Sequence, residues 1–379
     1  PFHWLGKWGP VLAIQFQKRN PLNIRLLLGV RKGRNPKGIG LFLRAYSLLY
    51  RQTGKQEYLE KAEKLLIWLR EHSSQGYSSY CWGYNFPWAS PVKHLAAYEP
   101  SVVATGFVVK GLHEYYRSSG DERVIEVMAG AVDFVLNHLP RHEDETGICI
   151  SYTPVMKDAC YNASLLGAEI LARYLDVGGT ADIARAPRYG RLRRPNRGDE
   201  LINILEAAVD FVAHRQQSDG RWNYSLDLDS GKERVQIDFH QGYVIESIEE
   251  IMRITGIRRP NWEDAVRKGL EFYRNEQFFD SGRSKWRLPK KWPVEIHNQA
   301  QGIVTFSMFD EYRDFAKLIA EYTIREMQGR RGYFYYQKFP WYTNRISYMR
   351  WSNAWMAVAL AELISTTENK EGKEEIFRE

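Results

Sequence analysis

Apolar and polar positions alternate along this chain with a helical period over most of its length. Apolar residues recur at i, i+3 and i+4 in Tyr58 to His72, Val124 to His138, Leu201 to Arg215, Trp262 to Glu276 and Asp314 to Met327. The opposite faces of these windows carry Lys, Glu and Arg, so each reads as a surface helix with one buried stripe. A second set is apolar or small nearly all round: Ile39 to Tyr50, Ser101 to Tyr116, Asn162 to Leu175, His240 to Ile254, Asn298 to Phe309 and Ser352 to Ile364. Helices of that kind are packed on both sides.

The two sets take turns, and the sequence repeats as they do. Ala131-Val132-Asp133-Phe134-Val135 returns letter for letter as Ala208-Val209-Asp210-Phe211-Val212. The inner set starts at Asn35, Glu99, Cys160, Asp238, Glu295 and Ser347, in steps of 64, 61, 78, 57 and 52 residues. Gly9 to Leu28, broken at Pro21, supplies a sixth outer helix. Repeats at such a period mean stacked or closed helical pairs. The expected fold is all-α: an (α/α)6 toroid of six inner and six outer helices in a single domain over residues 1–379. A basic Pro/Gly-rich insertion spans 180–199, and a polar tail spans 366–379.

Short aromatic stretches follow the outer helices: Cys81 to Phe86, Gly147 to Tyr152, Gly220 to Tyr224 and Gly332 to Tyr336. They read as loops or short hairpins. In a toroid all of them, with the starts of the inner helices, fall at one end. That end is where a cleft is expected, since loops on a rigid scaffold carry function.

Composition sharpens this picture in two places. Aromatic residues reach 14%, with 12 Trp and 23 Tyr, more than core packing asks for and suited to a wet binding surface. Lys and Arg outnumber Asp and Glu, 53 to 46, for a net charge of +7, which reads first as a soluble surface and otherwise as suited to an acidic ligand, anionic lipid or nucleic acid. The densest basic run, Arg185 to Arg197, is punctuated by Pro and Gly and reads as a loop insertion, so no nucleic-acid partner is expected. No run of about 18 apolar residues is present to form a spanning segment. The basic, partly amphipathic start from Trp8 to Lys37 either touches a membrane surface or simply closes the ring. Cys81, Cys149 and Cys160 show no zinc spacing and no disulfide pattern, so a reducing, cytoplasmic setting is expected, with no metal or cofactor. Oligomeric state is not readable from the sequence.

Several stretches resemble toroidal proteins of polysaccharide and archaeal N-glycan gene clusters. They are Asn35-Pro36-Lys37-Gly38, Trp82-Gly83-Tyr84 with Phe86 and Trp88, Asn162 to Gly167, Asp238 to Tyr243, and Tyr348-Met349-Arg350-Trp351. Membership in that six-hairpin glycosidase-like class implies the toroid and a carbohydrate ligand.

The inner-helix starts supply the candidate chemistry. Asp238-x-His240 and Glu295-x-His297 each set a carboxylate and an imidazole two residues apart. These four, with Tyr161, are the candidate catalytic residues. Candidate substrate contacts are Trp82, Tyr84, Trp88, Glu99, Tyr152, Lys157, Asn162, Trp222, Gln299, Tyr336, Tyr348, Arg350 and Trp351. Trp341 is a further candidate sugar platform, whereas Trp68 and Trp355 read as packing residues.

Three readings follow. A carboxylate pair suits glycoside hydrolysis of an oligo- or polysaccharide, acidic by the charge argument. A Tyr/His base with a cation or amide suits a uronate C5-epimerase or β-eliminating lyase. A binder without catalysis, serving glycan assembly, is the third.

Overall fold

The computed structural model describes residues 8–25, 27–30, 32–77, 80–89, 94–178 and 197–376. Twelve α-helices lie among them. The inner six are α2 (Pro36–Thr53), α4 (Val102–Ser119), α6 (Tyr161–Asp176), α8 (His240–Thr255), α10 (Ile296–Ser307) and α12 (Trp355–Ile376). The outer six are α1 (Trp8–Arg19), α3 (Gln56–Glu71), α5 (Arg123–Asn137), α7 (Arg197–Ala213), α9 (Pro260–Gln277) and α11 (Arg313–Met327). Each inner helix packs on the next, and α12 packs back on α2, which closes the ring. The expected (α/α)6 toroid is the observed fold.

Local chemistry sets the helix ends. Asn35 caps α2, its Oδ1 accepting the Gly38 N–H at 3.3 Å, with Pro36 in the first turn. Ser101 caps α4 in the same way at 3.1 Å. Gly54, Gly120 and Gly256 end α2, α4 and α8 in the left-handed conformation. α1 ends two residues before Pro21 and buries Val11, but it leaves Trp8, Leu12 and Phe16 exposed. Most of the 180–199 insertion lies outside the described residues. α12 continues through the polar stretch to Ile376. No helix among the described residues is long and apolar enough to cross a membrane.

Ten short strands form four small sheets: β1 (Trp88–Ala89), β2 (His94–Leu95), β3 (Arg141–Asp144), β4 (Gly147–Ile150), β5 (Ala159–Cys160), β6 (Ser225–Leu226), β7 (Glu233–Arg234), β8 (Val294–Glu295), β9 (Gln337–Lys338) and β10 (Thr343–Asn344). β5, which leads into α6, pairs with β6, which precedes α8. β8, leading into α10, pairs with β9, which precedes α12. Pairing between successive repeats gathers the inner-helix starts at one end of the ring.

One polar device recurs around that end. Near the start of an inner helix, a side chain accepts the buried backbone N–H of the preceding loop. Thr105 accepts from Trp82 at 3.1 Å, Ser164 from Ile150 at 2.9 Å, and Gln241 from Trp222 at 2.9 Å. Gln299 accepts from Ser284 at 2.7 Å, and Asn353 from Phe334 at 3.0 Å. Each bond spares a buried donor a penalty of about 1–3 kcal/mol. Together they pin the loops before α4, α6, α8, α10 and α12 to the helices they feed.

Charged residues, rather than apolar ones, fill much of the axis. Lys110 of α4 bonds Glu246 of α8 at 2.9 Å and Glu169 of α6 at 3.0 Å. Arg44 of α2 reaches Glu246 at 3.2 Å, and Arg173 of α6 joins Glu169 to Glu250 at 3.0 and 2.8 Å. Gln301 completes Glu246 at 2.9 Å. All are buried. Burial pushes the Glu246 carboxyl up, but Lys110 and Arg44 outweigh it and hold its pKa below the usual carboxylate range.

Candidate active site

Two imidazoles occupy the mouth of the ring, and Phe239 separates them. The Phe239 ring stacks on His240 at 4.3 Å and on His297 at 4.0 Å between centroids. Trp355 covers the other face of His297 at 4.5 Å, and the Trp351 ring meets His297 edge-on at 4.8 Å.

The two histidines have different surroundings. His240 Nδ1 lies 2.5 Å from Asp238 Oδ1. A carboxylate only accepts, so Nδ1 carries the proton and Nε2 keeps its lone pair. Asp238 is itself held by Gln236 Nε2 at 2.9 Å and Arg287 Nε at 3.3 Å, both on Oδ2. Burial raises its pKa, but His240 and Arg287 outweigh that and leave the carboxyl below its usual value, hence ionised. The His240 side chain is partly open to solvent, at 16%.

His297 is enclosed. Its Nε2 is 2.6 Å from the Tyr243 hydroxyl, and its Nδ1 has no hydrogen-bond partner among the described residues. Burial first, then the positive groups Lys37 and Arg350 nearby, hold its pKa well below the ordinary value, so this ring is neutral.

Two cations complete the mouth. Lys37, in the first turn of α2, is buried with its Nζ against the faces of Phe107 (4.0 Å), Trp355 (5.3 Å) and Tyr243 (5.8 Å). Arg350 lies in a π-helical turn, Met349–Ala354, that opens α12. Its guanidinium carbon sits 4.5 Å from the Tyr84 ring centre and 5.5 Å from those of Phe86 and Trp351. Gly38 lets this turn approach α2, because a Cβ there would stand 2.7 Å from Met349 Sδ. Among the described residues neither cation has an ion-pair partner.

Other sequence-chosen residues fall near this mouth. Tyr84 stacks on Phe86 at 5.6 Å, Trp88 packs on Tyr152 at 5.8 Å, and Tyr336 meets Tyr348 edge-on at 5.0 Å. Glu295 is buried at the cap position of α10. Its Oε1 takes the Trp351 indole N–H at 2.8 Å, and its Oε2 takes those of Trp286 at 3.1 Å and Gln337 at 3.2 Å. It therefore aims Trp351 and has no oxygen without a donor.

The remaining candidates lie elsewhere. Trp82 and Trp222, expected as sugar platforms, are fully buried. Their indole N–H groups close the last turns of α3 and α7 on Leu69 O at 3.0 Å and Val212 O at 2.9 Å. Tyr161, expected as a base, is fully buried against Phe211 with its hydroxyl on Glu233. Glu99 accepts from Tyr77, which packs on α5. Asn162 accepts from Cys160 Sγ, and Gln299 braces Ser284, Gly282 and Thr323. Core contacts engage the Trp82 and Trp222 indoles, the Tyr161 hydroxyl and the Gln299 amide. Lys157 is exposed on the loop before β5, and Trp341 is exposed at the β9–β10 tip.

Sequence reading missed Lys37, Phe239, Tyr243 and Arg287, and it gave Trp355 to packing alone. A Lys directly after a capped Asn-Pro start was the one available signal. No three His, Cys, Asp or Glu side chains among the described residues converge as metal ligands would.

No family model matches this chain, and no curated protein matches it in sequence. Solved structures do resemble it in shape. Cellobiose 2-epimerase from Bacillus thermoamylovorans is 15% identical, with a TM-score of 0.64 over 88% of each chain. An α-mannanase from Bacteroides thetaiotaomicron is 12% identical, with a TM-score of 0.65 over 91% of this chain and 89% of that one. An unsaturated glucuronyl hydrolase specific for heparin is 13% identical, with a TM-score of 0.59 over 88% of this chain and 86% of the other. At such identities the likeness is one of fold: this chain shares the (α/α)6 toroid of these carbohydrate-active enzymes.

Proposed function

We propose that this protein is a saccharide-processing enzyme whose reaction begins with removal of a carbon-bound proton by His240 Nε2, and that its product is an epimer or isomer. The carrying observation is the Asp238–His240 pair. The carboxylate fixes the tautomer at 2.5 Å and leaves a partly open imidazole nitrogen as general base. Lys37 and Arg350 stand by to stabilise the negative charge that deprotonation creates. Positive lining favours an acidic saccharide. The shared fold with a sugar epimerase supports a carbohydrate substrate by analogy.

Hydrolysis by a carboxylate pair fits the geometry less well. Such an enzyme needs one carboxyl as acid and a second as base or nucleophile. Asp238 is committed to His240 and Arg287, and Glu295 to three N–H donors.

Incubation of the protein with a panel of neutral and acidic oligosaccharides in heavy water tests this. Deuterium at one carbon of an inverted or isomerised sugar is the expected result. Unsaturated products would shift the outcome to elimination, and new reducing ends without deuterium on carbon would refute the proposal.

A further inference from the structure

Lys37 is an unusual residue for the inside of a toroid. It is 5% exposed, has no carboxylate partner among the described residues, and is held by three aromatic faces from α4, α8 and α12. Arg350 approaches the start of α2, its Cβ 3.4 Å from where a Cβ on Gly38 would stand; its charge acts on Lys37, and among the described residues its guanidinium contacts are ring faces. Elsewhere on the axis, buried cations are paired with carboxylates, as Lys110, Arg44 and Arg173 are. Two cations that feel each other's charge, with no ion-pair partner among the described residues, repel, a cost that an anionic ligand offsets.

We infer that Lys37 and Arg350 form the receptor for a carboxylate carried by the sugar at the reacting carbon, so that the substrate is a uronic acid residue and the proton removed is that on C5. This deepens the proton-transfer reading and rests on it for the identity of the base. The number of cations argues for it. Taking a proton from a carbon next to a carboxylate produces a dianion: the C5–H bond breaks, its proton passes to His240 Nε2, and the electron pair enters C5–C6 to give an aci-carboxylate. Two positive groups match two negative charges, and Lys37 acts where water is largely excluded. Return of the proton from His240 to the same face gives exchange alone, whereas delivery of a proton from water to the opposite face gives the C5 epimer, the hydroxide so formed being neutralised by the proton held on His240. A neutral sugar in the same place forms a single negative charge and leaves one buried cation unmatched.

Calorimetric titration with matched pairs tests the receptor without turnover. Methyl glycosides of glucose, galactose and mannose are each compared with the corresponding uronate, and glucose 6-phosphate and glucose 6-sulfate serve as other anions. The expected result is that one uronate binds at least about tenfold tighter than its neutral partner, and that Lys37→Met and Arg350→Gln each remove this preference while neutral-sugar binding stays.

Proton uptake gives a second readout. The charged and titratable groups facing Lys37 are Arg350, Lys110, Tyr243 and His297. Burial, then Arg350 and Lys110, lower the Lys37 pKa in the free protein. A bound carboxylate raises it again, so binding in the wild type is accompanied by proton uptake as pH rises and the free Lys37 amine loses its proton, and uptake is absent in Lys37→Met.

Equal affinity for acid and neutral members in all three pairs overturns the inference. So does a preference that survives both substitutions, or tighter binding of the phosphate or sulfate than of every uronate. Uronate preference without any carbon exchange would leave the receptor standing and remove only the proposed reaction. Exchange in a neutral sugar with no uronate preference would do the reverse.

Discussion

Asp238 Oδ1 lies 2.5 Å from His240 Nδ1, and the rest of that carboxylate is fixed by Gln236 and Arg287. The pair orients an imidazole as a general base from a side chain that is nearly sealed from solvent. Asp238→Asn keeps the shape but can present an N–H to the ring and favour the wrong tautomer. Steady-state kinetics should show kcat falling by about 10²–10⁴, with KM changed little. A change confined to KM would mean that Asp238 holds substrate instead.

Gly269 of α9 faces the buried Trp222 ring, and a Cβ there would stand 2.6 Å from Cζ3. Alanine is a better helix former than glycine by about 1 kcal/mol. The indole cannot yield, because its N–H is bound to Val212 O and its backbone to Gln241. Gly269→Ala should therefore lower stability by about 1–3 kcal/mol in urea denaturation. A stabilised variant would mean that the Trp222 plug is loose.

Much of the fold was legible because it depends on period. Outer helices such as α3 and α9 show a charged face, inner ones such as α4 and α6 do not, and their alternation fixes the ring. The site was legible only where chemistry and position coincide along the chain, as at Asp238-x-His240. Lys37 was not, because its meaning comes from Phe107, Tyr243 and Trp355 on three other helices. Trp82 and Trp222 were misjudged for a related reason. An aromatic in a loop reads as a surface residue until Thr105 and Gln241 are seen to clamp that loop inward.

Lys110 neutralises two buried carboxylates, Glu169 and Glu246, on the ring axis. Lys110→Met leaves both without that cation. The cost should be about 3–5 kcal/mol, read as a lower urea midpoint. A loss below about 1 kcal/mol would show that Arg44 and Arg173 suffice.

His113 gives the fold an acid limit. Arg173 donates to its Nδ1 at 3.0 Å, so Nε2 carries the proton and donates to Asp176 at 2.7 Å. Burial lowers its pKa to about 4, aided by Arg173 and opposed by Asp176. In the unfolded chain the value is about 6.5. Between these two values the unfolded state binds a proton that the native state refuses. Stability is therefore full above about pH 6.5 and falls as pH drops toward 4. His113→Gln should flatten this slope in denaturation curves at pH 7.5 and pH 5, by on the order of 1–3 kcal/mol. An unchanged slope would place the acid sensitivity elsewhere.

The central claim is that His240 takes a proton from carbon. The direct measurement is the rate at which deuterium from heavy water enters a bound saccharide, followed by proton magnetic resonance for the wild type and His240→Gln. The account predicts incorporation at a single carbon in the wild type and a loss of at least about 10² in rate in the variant, with saccharide binding retained. Turnover without deuterium on carbon in the wild type, or an equal rate of incorporation in the variant, would contradict it.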